Sequence, residues 1–262
     1  MDSLVIAGIA FAIVFGATLV GLRLRDKAPN HLGGETKDTV RLGMGLIATM
    51  TALLLGLLVA SAKGSFDTQR NEVIQMAARL AYLDRVLNLY GPETADARVM
   101  LRQTTDSLIH QLWPDKTGQF VEAPDLTINM KMYNALQKLT PQTDAQRHLK
   151  AQALDSAVDI GKNRWLLFAQ RDRAIAKPLL IAVVFWLAMT FLSFGLFAPS
   201  NRIVVFTLCV VAISVCSAIF LMLDLDRPFQ GINKISSSPM RRVLSQMSDD
   251  AKSAQASEHT QQ

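Results

Sequence analysis

Histidine and cysteine are scarce in this chain, with four of the first and two of the second among 262 residues. The histidines, His31, His110, His148 and His259, are widely separated and show no metal-ligand spacing to a second His or to a Cys, so no metal site is expected. Cys209 and Cys216 stand seven apart inside one apolar run, where they act as small apolar residues and supply neither a disulfide framework nor a redox motif. The chain also lacks a glycine-rich phosphate loop, a nucleophile elbow and a zinc-protease helix. No catalysis, cofactor or metal is therefore expected. Alternation of apolar and polar residues at the period of a strand is absent, which leaves an all-α chain.

Charge is missing from four long stretches. Leu4–Leu22, Gly43–Ala62, Pro178–Ser200 and Ile203–Leu223 contain no Asp, Glu, Lys or Arg. At about 1.5 Å rise per residue, twenty residues of helix measure about 30 Å, the thickness of a bilayer's hydrocarbon core. Four such helices cannot be buried together inside a soluble chain of this length, so the lipid bilayer is the first expected partner. The spans fall at about 4–22, 43–62, 178–198 and 203–223. The first has no basic residue before it and exceeds a signal-peptide core, so it reads as a retained span. No ionisable group lies inside any of the four, which argues against a proton relay or a charge-coupled pump. The net charge of +5 comes from Lys and Arg flanking the spans, and nucleic acid is not implied.

The organisation follows. Residues 1–62 hold a first transmembrane pair, 63–177 the central helical domain, 178–223 a second transmembrane hairpin, and 224–262 a tail. In the central domain Val73, Met76, Ala77, Leu80, Leu83, Leu87 and Tyr90 form one face of an amphipathic helix, with Gly91 as its stop. Pro92 opens a helix closed by Pro114, Asp125 caps a shorter one, and a long helix from Gln142 carries Leu149, Ala153, Ala157, Ile160 and Phe168. Only Pro199–Arg202 separate the last two spans, so they form a tight antiparallel hairpin. A short helix capped by Ser238 is expected to end near Met247, with disorder from about 249.

With four spans the termini and the central domain share one face of the membrane. That face carries twelve Lys and Arg near the membrane against six on the other, Arg23, Arg25, Lys27, Lys37, Arg41 and Arg202. The positive-inside rule then places the central domain and both termini in the cytoplasm. The first span alone, with Asp2 before it and a basic cluster after it, would favour the reverse, but the total outweighs it.

Two features stand out as candidate sites. On the second span, Gly45, Thr49, Ala52, Gly56 and Ala60 make a stripe of small residues suited to close helix packing. About a hundred degrees round lie Met50, Leu54, Leu57 and Ser61, which either contact lipid or form a hydrophobic pore constriction in an oligomer. After the fourth span, Asp224, Asp226, Arg227, Pro228 and Phe229 form an interfacial or gating cluster. Either Phe229 anchors at headgroup level behind a stop, or Asp224 or Asp226 pairs with an arginine of the central domain.

Three stretches, Leu83-Asp84-Arg85-Val86-Leu87-Asn88-Leu89-Tyr90-Gly91-Pro92-Glu93, Phe191-Leu192-Ser193-Phe194-Gly195-Leu196-Phe197-Ala198-Pro199 and Asp224-Leu225-Asp226-Arg227-Pro228-Phe229-Gln230-Gly231, resemble a family of bacterial membrane proteins with a bestrophin-like domain. Bestrophins proper are pentameric chloride-permeable channels with four spans, cytoplasmic termini and a cytoplasmic helical domain between the second and third spans. The resemblance implies a homo-oligomer, a pentamer, in the bacterial inner membrane, with the second span lining a path for inorganic anions. No acidic run follows Pro228-Phe229, so calcium activation is not implied, and the Leu and Met stripe lacks the aromatic of animal bestrophin necks. The competing reading is a non-conducting, membrane-anchored interaction protein that works through its cytoplasmic helices.

Overall fold

The computed structural model describes residues 3–27, 34–113, 126–171, 177–199 and 201–260. Most of them are helical, in the order α1 (Ser3–Lys27), α2 (Gly34–Tyr90), α3 (Ala95–Leu112), α4 (Leu126–Gln137), α5 (Asp144–Arg171), α6 (Lys177–Phe197), α7 (Arg202–Leu225) and α8 (Ser238–Thr260). No strand occurs among the described residues. Helices α1, α2, α6 and α7 are each long and apolar enough to cross a membrane. Asp125, expected to cap α4, lies outside the described residues, as does the side chain of Phe168.

The chain divides into two compact units, one of Met1–Phe66 with Ala174–Lys234, the other of Asp67–Arg173 with Ile235–Gln262. In the first, Val14 of α1, Val183 of α6, and Ala212, Ile219 and Met222 of α7 are buried in one apolar cluster. The turn between α6 and α7 is as short as the sequence requires, and the Asn201 side chain accepts the Ile203 N–H at the head of α7. Helix α1 crosses α6 where Gly21 and Gly195 face backbone: an added Cβ at Gly21 would come 2.9 Å from the Leu196 nitrogen, and one at Gly195 3.1 Å from the Leu22 nitrogen.

The second unit is a helical bundle. All seven apolar residues assigned to the inner face of α2 between Val73 and Tyr90 are buried, as are Leu101 and Leu108 of α3, Met132 and Leu136 of α4, and Ala153, Ala157 and Ile160 of α5. The end of α2 is built as the sequence suggests. Gly91 takes a φ of 131°, a conformation other residues resist. The carbonyls it leaves without helical partners are met by side chains: the Thr94 hydroxyl, 2.6 Å from Leu87 O and 2.8 Å from Gly91 O, shares its one proton between them, and Gln146 Nε2 donates to Tyr90 O at 3.1 Å.

Arg98 of α3 grips Asp84 of α2 with two hydrogen bonds, Nε to Oδ1 at 2.9 Å and Nη2 to Oδ2 at 3.1 Å, while its Nη1 donates to Asn88 Oδ1. Both partners are largely removed from water, so this bidentate pair retains strength that an exposed one loses. Asp84→Asn, which keeps the shape but removes the charge, is expected to cost about 2 kcal/mol of stability. The midpoint of thermal unfolding of the full chain in detergent checks it.

Two expectations change. Helix α2 begins at Gly34, well before the second span expected from Gly43. Helix α8 does not stop near Met247; the segment expected to be disordered from about 249 continues as helix to Thr260, in keeping with Ala251, Ala254 and Ala256, the residue of highest helix propensity. Nor does the tail stand alone. Trp113 Nε1 donates to Ile235 O at 2.7 Å, Arg102 Nη1 reaches Met247 O at 3.4 Å, and Met240, Val243 and Met247 are buried.

Candidate functional site

Of the four apolar helices, α2 is the one its own chain covers least: its most apolar window is 11% buried, against 33% in α6. The covered side carries Thr51 and Ala62, both buried, and Leu54, Leu55, Leu58 and Val59, half-buried against the apolar cluster of the first unit. The opposite side holds the two stripes read from the sequence. Gly45, Thr49, Ala52, Gly56 and Ala60 are all exposed, and a Cβ at Gly45 or Gly56 would meet nothing within 4 Å. Whatever these small residues admit, it is not another helix of the same chain. Met50, Leu57 and Ser61 are exposed on the neighbouring sector. Leu54 departs from its assigned partners, because at 100° per residue it sits at the edge of the covered side and packs into the chain's own core. Leu46 and Leu53, which the sequence reading passed over, share the exposed sector with Met50 and Leu57 and are exposed to 64% and 68%.

The cluster after α7 is organised around Asp224. Its carboxylate, 2% exposed, accepts the Ile232 N–H on Oδ1 at 2.9 Å, and the Asn233 N–H and Asn233 Nδ2 on Oδ2 at 2.9 and 3.1 Å. These three donors, together with the N–H groups of Gln230 and Gly231 on the Arg227 carbonyl at 3.1 Å, close the chain into a tight turn. Gly231 fits against the carboxylate so closely that a Cβ would lie 2.5 Å from Oδ1. Asp224 is thus a fastener of its own turn. Phe229 is buried within the chain, as is Pro228 beside it. Asp226 ends α7, its N–H donating to Met222 O, and Arg227 donates its N–H to Asp224 O. At the same end of α7 the Ser3 hydroxyl donates to Leu223 O at 3.2 Å, tying the start of α1 to it.

Among the described residues no group of three or more His, Cys, Asp or Glu comes together in a way that would hold a metal ion. The described residues offer an apolar helix with an uncovered side and a tight turn closed on Asp224. The sequence profile of the family described as the bestrophin-like domain matches residues 8–240. The chain belongs to that family.

Solved structures place this bestrophin-like chain in the corresponding fold. A bacterial bestrophin homologue from Klebsiella pneumoniae, solved by zinc phasing, superposes with a TM-score of 0.68 at 17% identity, covering 92% of this chain and 97% of that one. A single-residue variant of the Klebsiella pneumoniae homologue gives 0.68 at 17% identity over 93% and 98%. A further structure, described as a membrane protein, gives 0.68 at 17% identity over 93% and 97%. At that identity the likeness concerns the fold. No functionally curated protein matches the chain.

In this bestrophin-like chain the feature that sequence reasoning missed is the Gly21–Gly195 crossing. Glycine was read as a packing signal on the second span, where several small residues share a stripe, whereas the glycines that bring helices together within the chain stand singly on α1 and α6. Gly195 is the one glycine of its run, and Gly21 shares no helical face with Gly8 or Gly16 of α1, so nothing in the pattern marks either. Gly195 does fall inside one of the three stretches that carry the family resemblance.

Proposed function

We propose that this bestrophin-like protein is an oligomer of the bacterial inner membrane, five copies on the family plan, that conducts small inorganic anions along a path lined by α2, with its termini and helical domain in the cytoplasm. The observation that carries the reading is the uncovered side of α2. One of its two sectors is built of small residues and suits a neighbouring copy's helix; the other presents Met50, Leu57 and Ser61, with Leu46 and Leu53, and suits an apolar constriction. Around a closed ring of identical helices these sectors give, respectively, the contact between copies and the lining. Such a constriction gates by excluding water, so its width and polarity set the flux. Leu54, half-buried in the chain's own core, is assigned to packing and leaves the lining. The excess of basic residues beside the central domain and tail supports the orientation.

Halide efflux from liposomes carrying the purified oligomer tests the proposal. Leu57→Ala is expected to raise chloride and iodide flux with little change in thermal midpoint. Leu54→Ala is expected to leave flux near the wild-type level and to cost about 2 kcal/mol of stability, the low end for truncating a leucine because the site is only half-buried. Absence of halide flux from well-folded oligomers of every variant would favour a non-conducting scaffold that acts through its cytoplasmic helices.

A further inference from the structure

At the end of the spans that carries the α6–α7 turn, the first unit has an apolar groove of roughly 400 Å³ between α2 and α6. Met44 and Ala48 of α2, Phe194 and Phe197 of α6, and Leu208 of α7 line it, and Arg41 stands among them. The volume lies in the range of small-molecule sites, and the lining is almost wholly hydrocarbon and aromatic. Its position is as informative as its lining. Arg41 directly precedes the uncharged run of α2, and Phe194 and Phe197 occupy the last turn of α6, so the guanidinium and the rings lie at the boundary between hydrocarbon and headgroups.

Positive charge gathers there. Arg25 Nη1 donates to the carbonyl of Ala198, another lining residue, at 2.5 Å, which brings a second guanidinium to the same end of the groove. Asp38 stands 3.9 Å from Arg41, but both side chains are more than half exposed, and an ion pair of that length in water holds Arg41 weakly. A second groove, between α1 and α7, repeats the arrangement: Phe15, Leu22 and Phe206 line it and Arg202 stands at its end. An occupant must offer a hydrocarbon tail to the rings and an anion to the arginine while sitting at headgroup depth.

We propose that the α2–α6 groove is a binding site for an anionic phospholipid of the surrounding bilayer, with one acyl chain against Met44, Ala48 and Phe194 and the phosphate on Arg41. A phosphate accepts two parallel hydrogen bonds from a guanidinium, which a lysine in its place would not match. A headgroup with no cation of its own leaves that pairing uncontested, and this separates anionic phosphatidylglycerol from phosphatidylcholine, whose quaternary ammonium neutralises its phosphate.

Native mass spectrometry of the full chain in mild detergent, with phosphatidylglycerol or phosphatidylcholine of matched acyl chains added, tests the assignment. Retained phosphatidylglycerol is expected to exceed phosphatidylcholine about fivefold, the size of effect one basic side chain has beside an anionic lipid surface. Arg41→Gln is expected to bring that ratio close to one with the mass of the protein assembly unchanged. Arg23→Gln, an exposed arginine at the same end that does not line the groove, is expected to leave it as it is. A photocrosslinking side chain in place of Phe194, in vesicles containing both lipids, is expected to add the mass of one phospholipid. Equal retention of the two lipids, a ratio indifferent to Arg41→Gln, an equal loss in Arg23→Gln, or capture of a second copy of the chain at position 194 would each overturn the proposal.

Discussion

Replacing Gly195 by valine is expected to cost about 3 kcal/mol or more and to open the contact between α1 and α6. A Cβ at this position would overlap the carbonyl oxygen of Thr18 and press on the Leu22 nitrogen, and the reciprocal change at Gly21 would overlap Leu192 O. These are backbone atoms fixed in helical ladders, so no side chain can turn aside and the helices must separate. Within a bilayer that separation is not softened by the hydrophobic effect, because lipid tails are as apolar as the residues they would replace. What is lost is the close van der Waals contact itself, with whatever Cα–H to carbonyl contacts so short an approach allows. Thr18 is fully buried beside the crossing and donates its hydroxyl to Val14 O of its own helix, so it has no polar need that a rearrangement would serve. The comparison is Gly16→Ala, where an added Cβ meets nothing within 4 Å. There a gain of about 0.5–1 kcal/mol from helix propensity is expected. The temperature at which each variant leaves the monodisperse peak in detergent reads both effects, and an unchanged midpoint for Gly195→Val would show that α1 and α6 do not depend on the crossing.

Asp224→Ala carries the second large effect, about 3 kcal/mol, because it removes the carboxylate that accepts the Ile232 and Asn233 N–H groups in a turn that those bonds hold closed. The consequence is coupled to Gly231. In the parent chain Gly231→Ala sets a Cβ 2.5 Å from the Asp224 Oδ1 and 2.9 Å from its Cγ; once Asp224 is alanine those two atoms are gone, and the main-chain carbonyl of that residue stays at 3.0 Å. The double variant is therefore expected to be more stable than the sum of the two single changes predicts, by about 1 kcal/mol or more. Strict additivity would mean that the carboxylate and the glycine do not share one turn. Because Phe229 and Pro228 are buried within that turn, the loosened variants are also expected to expose apolar surface and to bind a hydrophobic dye more strongly than the parent.

Much of this was legible before any coordinates. The four spans follow from length and the absence of charge, and the inner face of α2 from Val73 to Tyr90 follows from its period, since burial on one side of a helix selects apolar residues every three or four positions. Gly91 announced the end of α2, because a left-handed stop favours the one residue without a Cβ. The same reasoning cannot work inside a span, where every face is apolar whether it meets lipid, its own chain or another copy. For that reason Leu54 and Leu57 look alike in the sequence although one packs into the chain's core and the other does not.

The sequence alone determined the class of the molecule, the number of its apolar helices, and the small-residue and Met/Leu/Ser stripes of α2, because hydropathy and helical period depend only on composition and spacing. Tertiary structure decided which way those stripes face, which glycines bring helices into contact, and that Asp224 fastens its own turn. Each of these depends on atoms far apart along the chain, Gly21 on Leu192 and Gly195 on Thr18, or on the exact path of a turn, Asp224 on Asn233. No local pattern of residues encodes a distance between them, and only packing supplies it.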